Sequence, residues 1–288
     1  MIIDVHVHPF CQEATVLPSH QEAGRRLLAP LGNPELIDRA AQGFATLFTQ
    51  RSLKDILTIM DQNKVDKACL VPMDLRTKYG VQLVTNQDVA RMAKEHPDRF
   101  IPFAGVDPSL GRLAVDELIF AVKELGCRGL KLVPPLQFFD FSDLRFEPLW
   151  QTAEDLDIIV WTHTAHQRSI PGSDARYGHP MLVEPVALKH PRLRIVLGHC
   201  GFPWVWETWS LVVRHPHVYL DVSAYPQLYE HVPWDAYLKS GAEDKILFAS
   251  DFPLRGFEET LSGVAALPVS PEVRDKILGQ NAARLLHV

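Results

Sequence analysis

Eight short runs rich in Ile, Val and Leu punctuate the 288-residue chain. The first is Ile2–His8. The others begin at residues 67, 100, 127, 158, 194, 218 and 246, so successive starts lie 24 to 36 residues apart. That interval holds one strand, one helix and two loops. Between the runs, apolar residues recur at helical spacing. Leu53, Ile56, Leu57 and Met60 follow Ser52, a candidate N-cap. Leu118, Ile119, Val122 and Leu125 precede Gly126, which suits a helix end. Phe146, Leu149, Trp150 and Ala153 form a third stripe. Strands alternating with helices in this number predict an α/β fold, a parallel sheet closed into a (β/α)8 TIM barrel. An open doubly wound sheet is the runner-up, but no Gly-x-Gly-x-x-Gly turn follows the first run.

No break in composition divides the chain, so one domain over residues 1–288 is expected. The long connection, residues 9–66, carries Pro9, Pro18, Pro30 and Pro34, with helical patterns near 35–48 and 53–62. It is predicted to be an inserted helical segment between the first and second strands, a lid or pocket wall at the active-site end. Lys and Arg number 29 against 35 Asp and Glu, a net charge of −6. That balance argues against nucleic acid or an anionic membrane as the main partner. No apolar run approaches the roughly 18 residues of a membrane span. The first residues, Met-Ile-Ile-Asp-Val-His-Val-His, lack the pattern of a signal peptide and are expected to form a strand. Cys11, Cys69, Cys127 and Cys200 form no Cys-x-x-Cys pair, so a reducing, cytoplasmic setting is expected. His96, His190 and His215 each precede a proline and are expected at the surface, where helices end.

Strand side chains alternate between faces. Asp4, His6 and His8 are therefore expected to face the barrel axis, and Ile3, Val5 and Val7 the helices. Two imidazoles at i and i+2 on one inward face reach a common metal ion. Alone, that spacing equally describes a hydrogen-bonded or surface pair. The positions of other residues change the weighting. His163 ends the fifth run, His199 the sixth and Asp251 the eighth, which places them at the barrel mouth where such enzymes work. Unpaired histidine and aspartate are costly to bury. A set of imidazole nitrogens and a carboxylate oxygen suits one divalent ion, Zn2+ first, with Mn2+, Fe2+ or Co2+ as alternatives. Lys131, sharing a face with Gly129 on the fourth run, is a candidate for binding a substrate carboxylate, or for an ion pair with Asp251 or Glu184. His166 and Arg168, just beyond the fifth run, and Tyr225, beyond the seventh, are further candidate substrate contacts. Arg51, Arg76 and Arg255 could each meet a carboxylate, with surface ion pairing the ordinary reading. Pro134–Phe139 is a candidate wall for an apolar pocket. Asp4 either orients a histidine or satisfies backbone donors.

The chain resembles the amidohydrolase superfamily, in its amidohydrolase-related branch typified by aminocarboxymuconate-semialdehyde decarboxylase. The resemblance rests on Asp4-Val5-His6-Val7-His8, Gly129-Leu130-Lys131-Leu132, Thr162-His163-Thr164, Gly198-His199-Cys200-Gly201, Ser250-Asp251-Phe252-Pro253 and Asn281-Ala282-Ala283-Arg284. It implies that His6, His8, His163 and Asp251 hold one metal. It implies that His199 does not ligate but acts on the reacting groups, with Asp251 a second proton carrier. In binuclear relatives a fourth-strand lysine is carboxylated; here Lys131 is expected unmodified. A homodimer is implied by resemblance alone. The expected activity is hydrolysis of a small amide, ester or lactone by metal-activated water. The alternative is non-oxidative decarboxylation of an unsaturated or aromatic acid, which an arginine entering from the first long loop would favour. A barrel that binds a ligand without catalysis is the third reading.

Overall fold

The computed structural model describes residues 1–288, and each of the eight runs forms a strand. In chain order these are Ile3–Val7, Lys67–Leu70, Phe100–Pro102 continued by Ala104–Gly105, Gly129–Leu132, Ile159–His163, Arg194–Gly198, Val218–Asp221 and Ile246–Leu247. Every neighbouring pair is parallel. The first and eighth strands meet through Val5 N donating to Phe248 O (3.1 Å) and Asp251 N donating to His6 O (3.0 Å). A bridge between Val7 and Phe252 extends this contact. The sheet therefore closes, as the 24-to-36-residue rhythm predicts.

Side chains from the strands fill the barrel axis, among them Val5, Val71, Phe103, Trp161, Val196 and Ala249. Ala282, Leu285 and Leu286 of the C-terminal helix plug the floor of this layer. Room for the largest rings comes from glycine. A Cβ on Gly129 would stand 2.3 Å from the Phe103 ring, and one on Gly198 would stand 2.3 Å from the Trp161 indole. Large and small residues thus interlock across the axis, as a filled barrel requires. Outside, the strands pack on helices through two larger apolar clusters.

The first strand departs from simple alternation. Ile3 and Val5 face the axis, not the helices, and only Val7 packs on the helix side with Leu27, Phe48 and Leu70. The register with the second strand slips between Asp4 and Val7. Such a bulge reverses side-chain parity within the strand. It lets two apolar residues fill the floor while His6 and His8 still enter the axis above them.

The long connection contains helices His20–Leu28, Pro34–Thr49 and Leu53–Gln62. The second and third match the expected patterns; the first was not foreseen, although the Ser19 hydroxyl caps it by accepting from Glu22 N. Ser52 and Asp55 form a capping box at the third. An antiparallel hairpin, Met73–Leu75 with Val81–Leu83, rises after the second strand and was also unforeseen. His190 and His215 are buried rather than at the surface. Carboxylates explain this: His190 pairs with Glu147 and Glu154, and His215 with Glu184. No helix is long and apolar enough to cross a membrane.

Candidate active site

The C-terminal ends of the strands bring His6, His8 and Asp251 together. One atom from each, His6 Nε2, His8 Nε2 and Asp251 Oδ1, lies within 4.8 Å of the other two. The two imidazole nitrogens are 3.1 Å apart, and Asp251 Oδ1 is 3.4 Å from His6 and 3.3 Å from His8. All three residues are buried. His8 Nδ1 donates to Val71 O at 3.0 Å, which leaves Nε2 as a bare lone pair. His6 Nδ1 faces Ser223 Oγ at 3.4 Å, with the same consequence for its Nε2. Two lone pairs and a carboxylate oxygen crowd one point. The only hydrogen-bond donor beside them is Lys131 Nζ, 3.0 Å from His6 Nε2. A divalent cation resolves that crowding, so the donor set fits a metal ion.

His163 lines the same cavity but falls outside the 4.8 Å set. Its Nδ1 lies 3.0 Å from His199 Nε2, and its buried Nε2 has no hydrogen-bond partner. His199 is held from the other side by a buried network that the sequence reading missed. Asp221 Oδ1 accepts from the backbone N–H groups of His199 (3.0 Å) and Ser223 (2.9 Å), and from the Ser223 hydroxyl (2.5 Å). Asp221 Oδ2 accepts from the Trp161 indole at 2.6 Å. Because Ser223 donates to Asp221, its oxygen must accept from His199 Nδ1, 2.7 Å away. That fixes the tautomer: His199 Nε2 is the acceptor and His163 Nδ1 the donor. The available signal was the Asp221-x-Ser223 spacing at the end of a buried strand, the same i, i+2 pattern as His6-x-His8.

Burial sets the electrostatics. It holds the imidazoles of His6, His163 and His199 well below their ordinary 6.5, with nearby cationic charge, Lys131 among it, acting in the same sense. Burial also drives the Lys131 amine well below its usual value, against the pull of Asp251 and Asp221. Lys131 Nζ sits 3.1 Å over the Trp161 ring. Asp4 is raised to about 7 by burial. Its Oδ1 accepts from the backbone N–H groups of His6 and Ser250, so it serves backbone donors rather than an imidazole.

The substrate candidates separate. Lys131 lines the cavity with the cluster. Tyr225 does not offer its hydroxyl to that cavity, since the phenol donates to the carbonyl of His166. His166 contributes that carbonyl, and its side chain lines neither the cavity nor the chamber beside it. Arg168 is exposed and lies 4.9 Å over the Tyr225 ring. With Arg255 it borders the adjoining chamber, which shares His163, His199 and Asp251. Arg76 is tied to Asp74 and Glu117. No arginine of residues 9–66 lines the main cavity, and Leu136 is the contribution of the Pro134–Phe139 segment. Lys131 does not pair with Glu184, which binds Arg214 and His215.

A closed parallel barrel with imidazoles and a carboxylate converging at its C-terminal mouth defines a metal-binding TIM-barrel protein. The chain belongs to the amidohydrolase family, whose model matches residues 3–288. It is 27% identical over 257 residues to a γ-resorcylate decarboxylase of Rhizobium sp. (strain MTP-10005), covering 74% of this chain and 77% of that one. Among solved structures, it resembles an uncharacterised TIM-barrel protein of Bordetella bronchiseptica with a TM-score of 0.77 and 25% identity, covering 99% of this chain and 98% of that one. A dihydroxybenzoic acid decarboxylase of Polaromonas sp. JS666, solved with manganese and 2-nitroresorcinol, matches with a TM-score of 0.65 and 22% identity, covering 99% and 96%.

Proposed function

We propose that this chain is a metal-dependent, non-oxidative carboxy-lyase of a small aromatic acid. This corrects the expectation of a hydrolase acting on an amide, ester or lactone. The similarity that overturns it, and that carries the present reading, is the one to γ-resorcylate decarboxylase over three-quarters of both chains. The cavity supports the same reading. It measures about 230 Å³, below the ~300–1,000 Å³ of sites for drug-sized ligands, and is lined mainly by apolar residues. A wall of that kind accommodates a single aromatic ring.

His6, His8 and Asp251, with His163 as fourth donor, would hold one divalent ion. Zinc is the assignment that imidazole and carboxylate donors favour, with manganese, present in the Polaromonas structure, as the alternative. The ion would supply a positive charge that binds and polarises the substrate's carboxylate end. Lys131, whose Nζ lies 3.0 Å from His6 Nε2 in the cavity wall, would be a second contact for the substrate carboxylate, where an arginine from the first long loop was expected. Decarboxylation then needs a proton at the ring carbon that bears the carboxylate. The carbon–carbon bond breaks, its electron pair restores the ring and carbon dioxide leaves. We assign proton delivery to Asp251. His199 donates from Nδ1 to Ser223 and accepts from His163 Nδ1 at Nε2, so it would orient His163 and polarise the mouth of the site during that transfer. The apolar walls exclude water, which strengthens the electrostatic interactions at the carboxylate and favours its conversion to neutral carbon dioxide.

The test is metal-loaded protein, in Zn2+ and Mn2+ forms, offered hydroxybenzoates in parallel with lactones and anilides. Release of carbon dioxide from an aryl acid is the expected result. Hydrolysis of a lactone or amide with no decarboxylation overturns the reading.

A further inference from the structure

The cavity is divided by chemistry according to which part of the chain supplies its wall. Its ionisable side chains, His6, His8, Lys131, His163, His199 and Asp251, all come from the barrel strands or the residues just beyond them. The inserted helices and the hairpin contribute only apolar side chains, including Leu28, Phe44, Leu47, Met73 and Leu83. Two polar residues remain, Gln167 and Ser169; both come from the loop after the fifth strand, not from the insertion or the hairpin, and the Gln167 side-chain carbonyl oxygen is turned back on that loop. Gln167 Oε1 accepts from Ser169 N at 2.5 Å, Ser169 Oγ at 2.9 Å and Ile170 N at 3.2 Å. Gln167 Oε1 is thus taken up by three donors, while the side chains of the insertion and the hairpin offer no polar atom, so a ring hydroxyl turned toward those side chains would lose its water without a replacement from that wall.

We infer that the acid this site prefers carries an apolar substituent, an alkyl group, on the part of the ring that faces the inserted helices, rather than the second hydroxyl of a dihydroxybenzoate. The inference rests on the decarboxylase reading for the carboxylate end and specifies the rest of the molecule. The size of the effect follows from the wall. A methyl group gained in an apolar pocket, together with a hydroxyl no longer stranded there, is worth about ten- to a hundredfold in affinity or kcat/KM. The second chamber does not cancel it. That space is bordered by Arg168, Tyr225 and Arg255, so hydroxyls on its side meet polar groups. The discrimination is confined to ring positions on the insertion side.

The experiment uses matched pairs of 2-hydroxybenzoates bearing either methyl or hydroxyl at positions 3, 4, 5 or 6. Binding to the zinc-loaded protein is measured by isothermal titration, and carbon dioxide release is followed in parallel. At one ring position or more, the methyl acid is expected to bind at least tenfold tighter than its hydroxyl twin. Leu47 is half-buried, so Leu47→Asn is expected to fold and to reduce that ratio at least threefold, while Leu47→Met keeps it. Tighter binding of methyl acids without carbon dioxide release refutes the decarboxylase reading and upholds the inference. Carbon dioxide release with the hydroxyl twin equal or better at every position overturns the inference and upholds the reading. Failure of every aryl acid to bind overturns the inference as well.

Discussion

At the scale of single residues, the site is organised as much by Asp221 and Ser223 as by the groups that face the cavity. Ser223→Ala removes the acceptor for His199 Nδ1 and frees the ring to change tautomer. The expected result is a kcat lower by about 10- to 100-fold, with weakened metal retention because Ser223 Oγ also faces Nδ1 of His6; steady-state kinetics and elemental analysis read both. Asp251→Asn should lose metal and turnover together, whereas His199→Asn should keep the metal and lose turnover. Disappearance of the metal with His199 would show that this imidazole is a ligand. The backbone at these two residues is itself unusual: His199 has φ 58° and Asp251 φ 68°, left-handed values that cost about 1–3 kcal/mol for a non-glycine residue. The surrounding barrel holds them there, which aims both side chains into the mouth. Burial of His199 has a consequence for stability. Its folded-state pKa lies well below 6.5, so the unfolded chain binds a proton first as pH falls. The contribution is complete above about pH 6.5 and is lost below it. Asp4 and Asp221, raised by burial, act in the opposite sense because the folded state protonates them first. The His199 part is isolated by difference: between pH 7.5 and 5.5, the melting temperature of metal-free His199→Asn should fall less than that of the parent. An equal or steeper fall would place the protonation elsewhere.

Among the elements, the barrel strands were readable because buried parallel strands appear as nearly continuous apolar runs with no polar face to break them. The same continuity hid the bulge. Nothing in Ile3-Asp4-Val5-His6-Val7 shows that parity reverses, since both faces of this strand are buried and both accept apolar residues. The hairpin at Met73–Leu83 escaped because its two arms are three residues each, too short to display a period. The helix at His20–Leu28 carried a Ser19-x-x-Glu22 start, a readable signal masked by the prolines on either side. The candidate ligands were legible because each closes a run, whereas the Asp221 network required knowing which neighbours a buried carboxylate would find. Close packing between strands supplies a prediction of its own. Gly198→Ala drives a methyl group into the Trp161 indole, which contacts Lys131 and the His6 ring. Overpacking of this kind costs about 1–3 kcal/mol, and a chemical melt should show it, along with weakened metal retention from the displaced tryptophan. A melt unchanged from the parent would mean that the axis is looser than the contacts indicate.

For the whole molecule, the ion and the fold are thermodynamically linked, because the donors converge only in the folded state. Chelation should lower the melting temperature, and readdition of Zn2+ should restore it. At a free ion concentration a hundred times the dissociation constant, the difference corresponds to about 2.7 kcal/mol. A melting temperature indifferent to chelator would separate the two. The hydrogen bond from Asp251 N to His6 O joins residues from opposite ends of the sequence, and their side chains are two of the three clustered donors. During synthesis on the ribosome, a nascent chain that has not yet extruded its eighth strand has His6 and His8 but no carboxylate to set against them. Tight capture of metal is therefore expected only once the eighth strand has joined the sheet, and a product truncated ahead of that strand is expected to lose the ion.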